Sequence, residues 1–399
     1  MHEPAPHDDT RLNLRAAFLL GLVTSTFSTV AVSLGAARIG RDVGVDWMIV
    51  ASLLMRDAAF QAEPGWPVLA LGILIHQSAD ILWAVVFFGL LGRWTARLSP
   101  PAILLAAVPW ALLTSAIEWF LIVPLLPFRQ PAFTLLQAYW LGLVVHLLSA
   151  SLYPLFPWVR DRLARRVPSP HRRFAARWGA LAAGGTLLLG VLAALGSQQR
   201  ELPHLGGDTA RDRDYMRHMA VHHEQGIELA SLAAKQAADP QLRALARLMI
   251  ATQKGEVAIL AQWWRSWFDA PPAFVCSEQE RAAMPGLLDP ARLAALRRLR
   301  GGEFDAAFVD AMSFHHRGAI AMADAALHRA GDPRLRLMSH AIVHEQRGEI
   351  ALMHGVEGVP AVTMATRAMW ARAGEHPADR PQGLPQQRRD GERGSAGTR

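Results

Sequence analysis

His222 and His223 follow Met219 at steps of three and four, and His315 and His316 follow Met312 at the same steps. Imidazole nitrogen and thioether sulfur are neutral, polarisable donors. Together they suit copper, and thioether favours Cu(I) and, by the same softness, Ag(I). Each motif has a companion further along the chain. Gln253 and Glu256 follow Met249 in the first case, and Gln346 and Glu349 precede Met353 in the second. The bland alternative is that His and Glu hydrogen-bond one another and merely satisfy buried polar groups. One lone His would favour that reading. Here four His, two Glu and at least four Met recur in phase, which favours a metal. The candidate ligands are therefore Met219, His222, His223, Met249, Glu256, Met312, His315, His316, Glu349 and Met353. A carboxylate-bridged di-iron site fits less well. It takes Glu from two helices and Glu-x-x-His from two others, and these stripes carry no Glu-x-x-His.

Two copies of one element must position these groups. Residues 215 to 260 align with 308 to 353 without a gap, at an offset of 93 and with about fifteen identities. The shared residues include Asp239-Pro240 with Asp332-Pro333, and Gln253-x-Gly255-Glu256 with Gln346-x-Gly348-Glu349. Tyr215, Met219, His222, His223 and Gly226 fall on one helical stripe, echoed by Phe308, Met312, His315, His316 and Ala319. The second helices carry Leu245, Met249, Gln253, Glu256 and Leu260, echoed by Met338, Ile342, Gln346, Glu349 and Met353. Asp-Pro ends one helix and starts the next, because Pro suits a first turn. The expected helices run from Asp208 or Thr209 to about Ala238, to about Phe268, from about Glu303 to Ala330, and from Pro333 to about His354. The repeats occupy 208–268 and 303–356, and the two hairpins form a ferritin-like four-helix bundle over 201–360. A short helix and a disordered tail are expected over 361–399, the tail starting at Glu375.

Residues 1–200 form a membrane region, so the fold class is all-α. The first apolar run is Ala16 to Ala37, read as a retained helix because it is too long for a signal peptide's apolar segment. Pro67 to Leu91, Pro101 to Leu126, Ala132 to Leu155 and Trp178 to Gly196 complete about five spans. Asp46 to Met55 is too short to cross and reads as re-entrant or interfacial. Seven arginines against one aspartate between Arg160 and Arg177 place that loop in the cytoplasm. The N-terminus is then cytoplasmic and the bundle periplasmic or extracellular. His76, Asp80, Glu118 and His146 lie within the spans. Buried ionisable groups there either pair to lock the bundle or mark a proton or metal path.

Other residues carry less. His340, His344 and His354 form a second stripe in one repeat only, read as an exposed polar face or else a peripheral metal patch. His2 and His7 read as solvated. The single Cys276 excludes an intramolecular disulfide and thiolate clusters. The net charge of +7 is mostly arginine in one loop and the tail. No aromatic–basic platform accompanies it, so nucleic acid is not an expected partner. No catalytic residue is assigned, and an enzyme is the less favoured reading.

With these motifs in place, residues 208 to 356 resemble the bacterial family called domain of unknown function 305. The resemblance rests on Tyr215-x-x-x-Met219-x-x-His222-His223, Gln253-x-x-Glu256 and their second copies. It implies a ferritin-like helical domain of secreted or membrane-attached proteins, with links to periplasmic copper binding through Met219, His222, His223, Met312, His315 and His316. The N-terminal spans are not part of that pattern. The expected function is a membrane-anchored, extracytoplasmic protein that binds copper, or silver fortuitously, for homeostasis or tolerance. Another transition metal is a possible alternative cofactor. Its expected partners are the lipid bilayer, the metal ion and a metal-handling protein that takes the cargo. The alternatives are a transporter or redox membrane protein with the bundle as accessory donor or sensor, and a metal-free structural bundle.

Overall fold

The structure is a computed structural model and describes residues 6–381 except 126, 127, 129 and 167. His2, the His7 side chain, Leu126 and the tail from 382 lie outside the described residues. Among the described residues every regular element is helical. The N-terminal half comprises α1 (Pro6–Gly35), α2 (Val43–Met55), α3 (Trp66–Val85), α4 (Gly92–Thr95), α5 (Pro100–Ile117), α6 (Pro131–Leu136), α7 (Tyr139–Ala150), α8 (Phe156–Leu163) and α9 (Arg172–Ser197). Among the described residues five helical stretches are long and apolar enough to cross a membrane: Thr10–Ile39, Trp66–Leu90, Pro100–Ile122, Tyr139–Leu163 and Arg172–Ser197. The fourth starts later than its apolar run suggests. The run breaks at Gln137, whose side chain turns away to hold Arg41 and Asp46. The segment before it, α6, becomes a separate short helix beneath the C-terminal half. Apolarity alone cannot show that break, because α6 is as apolar as a span.

The C-terminal half comprises α10 (Thr209–Gln236), α11 (Pro240–Phe268), α12 (Glu278–Ala283), α13 (Pro290–Arg298), α14 (Gly301–Arg329), α15 (Pro333–Met353) and α16 (Gly358–Ala368). The N-caps are those the sequence indicates. Asp208, Asp239 and Asp332 each accept a backbone N–H of the following turn, and Pro opens α11 and α15. α10 packs on α11 and α14 on α15, and the two hairpins meet across α10–α14 and α11–α15. Residues 375–381 are not disordered. His376 is buried and donates to the Met364 carbonyl, and Asp379 pairs with buried Arg347 at 2.8 Å.

The bundle stands on the N-terminal half, and the repeated glycines are its footing. A Cβ at Gly255 would lie 2.6 Å from the Asp42 Cβ, and one at Gly348 would lie 2.4 Å from the Leu135 carbonyl oxygen. The same motif position thus gives close approach to α2's N-cap in one repeat and to α6 in the other. Arg41 is buried in this joint. It ion-pairs with Glu345 at 2.7 Å and with Asp46 at 2.5 Å, and donates to the Gln137 side-chain carbonyl. Arg247 donates to the Phe60 carbonyl at 2.8 Å. Gly348→Ala is expected to destabilise the chain by about 1–3 kcal/mol, because the contact is backbone and cannot swing aside. Thermal unfolding of the detergent-solubilised chain measures this, and an unchanged midpoint contradicts it.

Candidate metal centre

The helical phase carries the sequence-derived residues inward. Met219, His222, His223, Met249, Met312, His315 and His316 are 0% exposed, and Glu256, Glu349 and Met353 are also buried. α10 and α14 bring the two His pairs face to face. The His222 and His315 rings lie 4.0 Å apart between centroids, tilted by 35°. The His340–His344–His354 stripe is not an exposed face. His344 is fully buried and His340 packs edge-on to Trp140, because this side of α15 meets the membrane half.

Two backbone contacts fix the chemistry of the facing rings. His222 Nε2 lies 3.0 Å from the Pro285 carbonyl oxygen, and His315 Nε2 lies 3.0 Å from the His222 carbonyl oxygen. A carbonyl oxygen only accepts, so each Nε2 carries the proton and donates it. Each Nδ1 is therefore a bare lone pair, and neither has a hydrogen-bond partner. This is how a metal-ligating imidazole is prepared: one nitrogen is held by backbone and the other is left as a free lone pair.

His223 and His316 take the second role. Their Nε2 atoms approach the Oε2 atoms of Glu256 and Glu349 at 2.6 and 2.7 Å. Neither ring nitrogen of either His has a hydrogen bond of proper geometry, so these pairs touch without being locked. Gln253 and Gln346, on the same stripes, are buried with both amide atoms unpartnered. Native interiors hold few orphaned polar atoms, and a cluster of them in one bundle core calls for a ligand. Gly226 leaves the room. A Cβ there would lie 2.2 Å from Gln253 Oε1 and 2.8 Å from His315 Cε1.

The connector between the repeats seals the centre, a role that its sequence does not announce. Gln225 exchanges two hydrogen bonds with the Leu288 backbone, at 2.9 and 2.7 Å. A Cβ at Gly318 would lie 2.1 Å from the Pro285 carbonyl oxygen, so the strap lies directly on α14. Gln225 and the Pro285 carbonyl thus belong to the site. Their only signal in the sequence is Pro285-Gly286, which marks a turn.

Electrostatics follow from burial. His222 and His315 are held well below the ordinary imidazole value by burial and then by neighbouring imidazoles. His316 is pushed down to about 3 by burial and then by His223. The Glu349 carboxyl is pushed up to about 8 by burial and then by Glu256. In the metal-free chain these histidines are neutral in the folded state but gain protons near pH 6.5 once unfolded. Their contribution is therefore present above about pH 6.5 and is lost as pH falls from there toward about 3. Glu349 acts with the opposite sign. Its contribution is present below the ordinary carboxyl value of about 4.5 and is lost as pH rises through about 8. With three histidines against one carboxyl, metal-free stability is expected to fall on acidification from pH 6.5, by about 1.4 kcal/mol per pH unit for each uncompensated group. Unfolding midpoints across pH 4–8 check this, and a flat profile contradicts it.

Among the described residues no three His, Cys, Asp or Glu side chains converge as a ready cage. The donors come in twos, two unpartnered Nδ1 atoms and two imidazole–carboxylate pairs, with buried methionines on the same stripes. That set fits a soft ion content with few ligands better than a hard, oxygen-seeking one.

The family profile for Domain of unknown function (DUF305) matches residues 212–357. Those residues are a DUF305 domain. The DUF305 segment holds both hairpins from within α10 to the end of α15, and so every candidate ligand. A DUF305 protein from Streptomyces coelicolor is 25% identical over 41% of this chain and 94% of its own, with a TM-score of 0.33. A DUF305 fragment from Deinococcus radiodurans is 28% identical over 39% and 97%, with a TM-score of 0.35. CopM in its Cu(I)-bound form is 28% identical over 36% and 93%, with a TM-score of 0.31. CopM structures also exist in Cu(II)-bound and Ag-bound forms. No curated protein matches the chain.

Proposed function

We propose that this protein is a membrane-anchored copper-binding protein whose DUF305 bundle holds Cu(I) for buffering or for hand-off to another metal-handling protein. The observation that carries this reading is the pair of buried Nδ1 lone pairs on His222 and His315, set by backbone acceptors and left without partners. His223 with Glu256, His316 with Glu349, and the sulfurs of Met219, Met249, Met312 and Met353 supply further donors around them. Neutral imidazole and thioether hold Cu(I) without thiolate, and Ag(I) fits the same donors. The ion's chemistry would be storage and exchange, with no reaction assigned to it. Five apolar spans favour membrane attachment. The arginine-rich stretch between the last two spans favours a cytoplasmic loop there, which puts the bundle outside. A purely structural bundle accounts poorly for so many orphaned polar atoms, since apolar residues would pack that core at lower cost.

The test is Cu(I) uptake by the full chain in detergent under reducing conditions, in competition with a chromogenic Cu(I) chelator. At least one Cu(I) per chain withheld from the chelator is the expected result. Complete loss of copper to the chelator overturns the reading.

A further inference from the structure

The membrane half encloses a cavity of about 310 Å³, which the copper reading does not use. Asp46 and Gln137, which hold Arg41 against Glu345, line it together with His76, Glu118 and His146. Indoles of Trp47, Trp119 and Trp140 supply much of the remaining wall. Glu118 opens a π-helical turn, Glu118–Ile122, a local widening that is common at functional positions. The volume falls in the range of small-molecule pockets, and apolar walls with a few placed polar groups are their usual make-up.

Charge and hydrogen bonding narrow the occupant. Each carboxylate already faces a base. Of those that line the cavity, Asp46 has Arg41 and Glu118 has His146 at 3.2 Å. The cavity therefore has no surplus charge, and a neutral guest suits it better than an ion. The available groups are acceptors. The Ser28 hydroxyl has one proton and two acceptors for it, Asp80 at 2.7 Å and the Ser25 carbonyl at 3.0 Å, so a neutral His76 donates its Nε2–H to Ser28 at 3.0 Å and keeps Nδ1 as a bare acceptor. Glu118 is a carboxylate whose side chain is 21% exposed, with Trp83 and His146 on its two oxygens. The guest must bring donors, and three indoles favour a flat ring. The entrance is set by Val144, which lines the cavity and yet is exposed on the outer face of a membrane-spanning stretch.

We infer that this cavity binds a neutral aromatic ring bearing hydroxyl donors, of the hydroquinone type, on a lipid tail that enters from the bilayer. Glu118 and His76 accept its hydroxyl protons as hydrogen bonds, and the indoles flank the ring. This assignment stands independently of copper.

The experiment uses the full chain in lipid nanodiscs, titrated anaerobically with a decyl-substituted benzohydroquinone and read by tryptophan fluorescence. Saturable quenching at one site is expected. Glu118→Gln keeps the shape but weakens the acceptor, and should weaken binding by about ten-fold or more. Ala79→Phe fills the cavity and should abolish saturation. Unfolding midpoints close to that of the native chain show that both variants are folded. Absence of saturable quenching in the native chain overturns the inference, as does native affinity in both folded variants. Equal binding of unsubstituted benzohydroquinone overturns the bilayer origin. Equal binding of the oxidised quinone overturns the donor–acceptor assignment.

Discussion

His222→Ala is expected to lower Cu(I) affinity by about a hundred-fold or more, and adding His315→Ala should cost little further. The reason is that both imidazoles would serve one ion in the proposed site. A ligand's supporting contact alone is worth about 10–100-fold in metal affinity, and here a donor itself is removed. Once one imidazole is gone, the remaining donors no longer complete the proposed site, so the two losses are not additive. His340→Ala with His344→Ala is the matched control. It removes two imidazoles from the opposite side of α15, where they meet Trp140 and the membrane half, and should leave affinity within about two-fold. Chelator competition on the three variants reads all of this. Equal losses in the control and in the His222 variant would sink the assignment of the facing pair.

Arg41→Gln should be the most damaging single change outside the metal centre. Arg41 lies 2.7 Å from Glu345 and 2.5 Å from Asp46, in a joint closed to water. Burial pushes the Glu345 carboxyl up and Arg41 pulls it back down. Without Arg41, Glu345 must stay as an uncompensated buried charge or take up a proton. Breaking one partner of such a pair costs about 3–5 kcal/mol. Glu345→Gln in the Arg41→Gln background should recover much of this, because the stranded charge leaves with it. A double-mutant cycle on unfolding midpoints measures the coupling. Simple additivity would show that Arg41 does not hold the bundle through Glu345.

The helical periods, the Asp-Pro punctuation and the duplicated stripes were legible in the sequence because each is a local rule repeated twice. Burial of all ten sequence-derived ligand candidates follows from phase alone. What the sequence could not show is tertiary. Nothing local says that Pro285 sits over His222, or that His315 donates to the His222 carbonyl, so the tautomers were invisible. The His340–His344–His354 stripe looked solvent-facing because a helix pattern cannot tell water from a neighbouring domain that also carries polar groups. The break at Gln137 hid inside an apolar run for the same reason. Gly255 and Gly348 were visible as shared residues, yet their purpose appears only against Asp42 and Leu135.

Those two glycines impose a mechanical constraint on the helices that carry the candidate donors. In Gln-x-Gly-Glu the footing residue and the inward carboxylate are adjacent, about 100° apart around the helix. α11 and α15 cannot roll to turn their donors outward without prying Gly255 off α2 or Gly348 off α6. Both torsional exits are clamped from below, so the donors stay aimed inward as long as the bundle stands. The 284–288 strap is held by the same device, since a Cβ at Gly318 would lie 2.1 Å from the Pro285 carbonyl oxygen, and by the two Gln225–Leu288 hydrogen bonds. The candidate donors are therefore held from both sides, and release of an ion in the proposed role requires one of these close contacts to open.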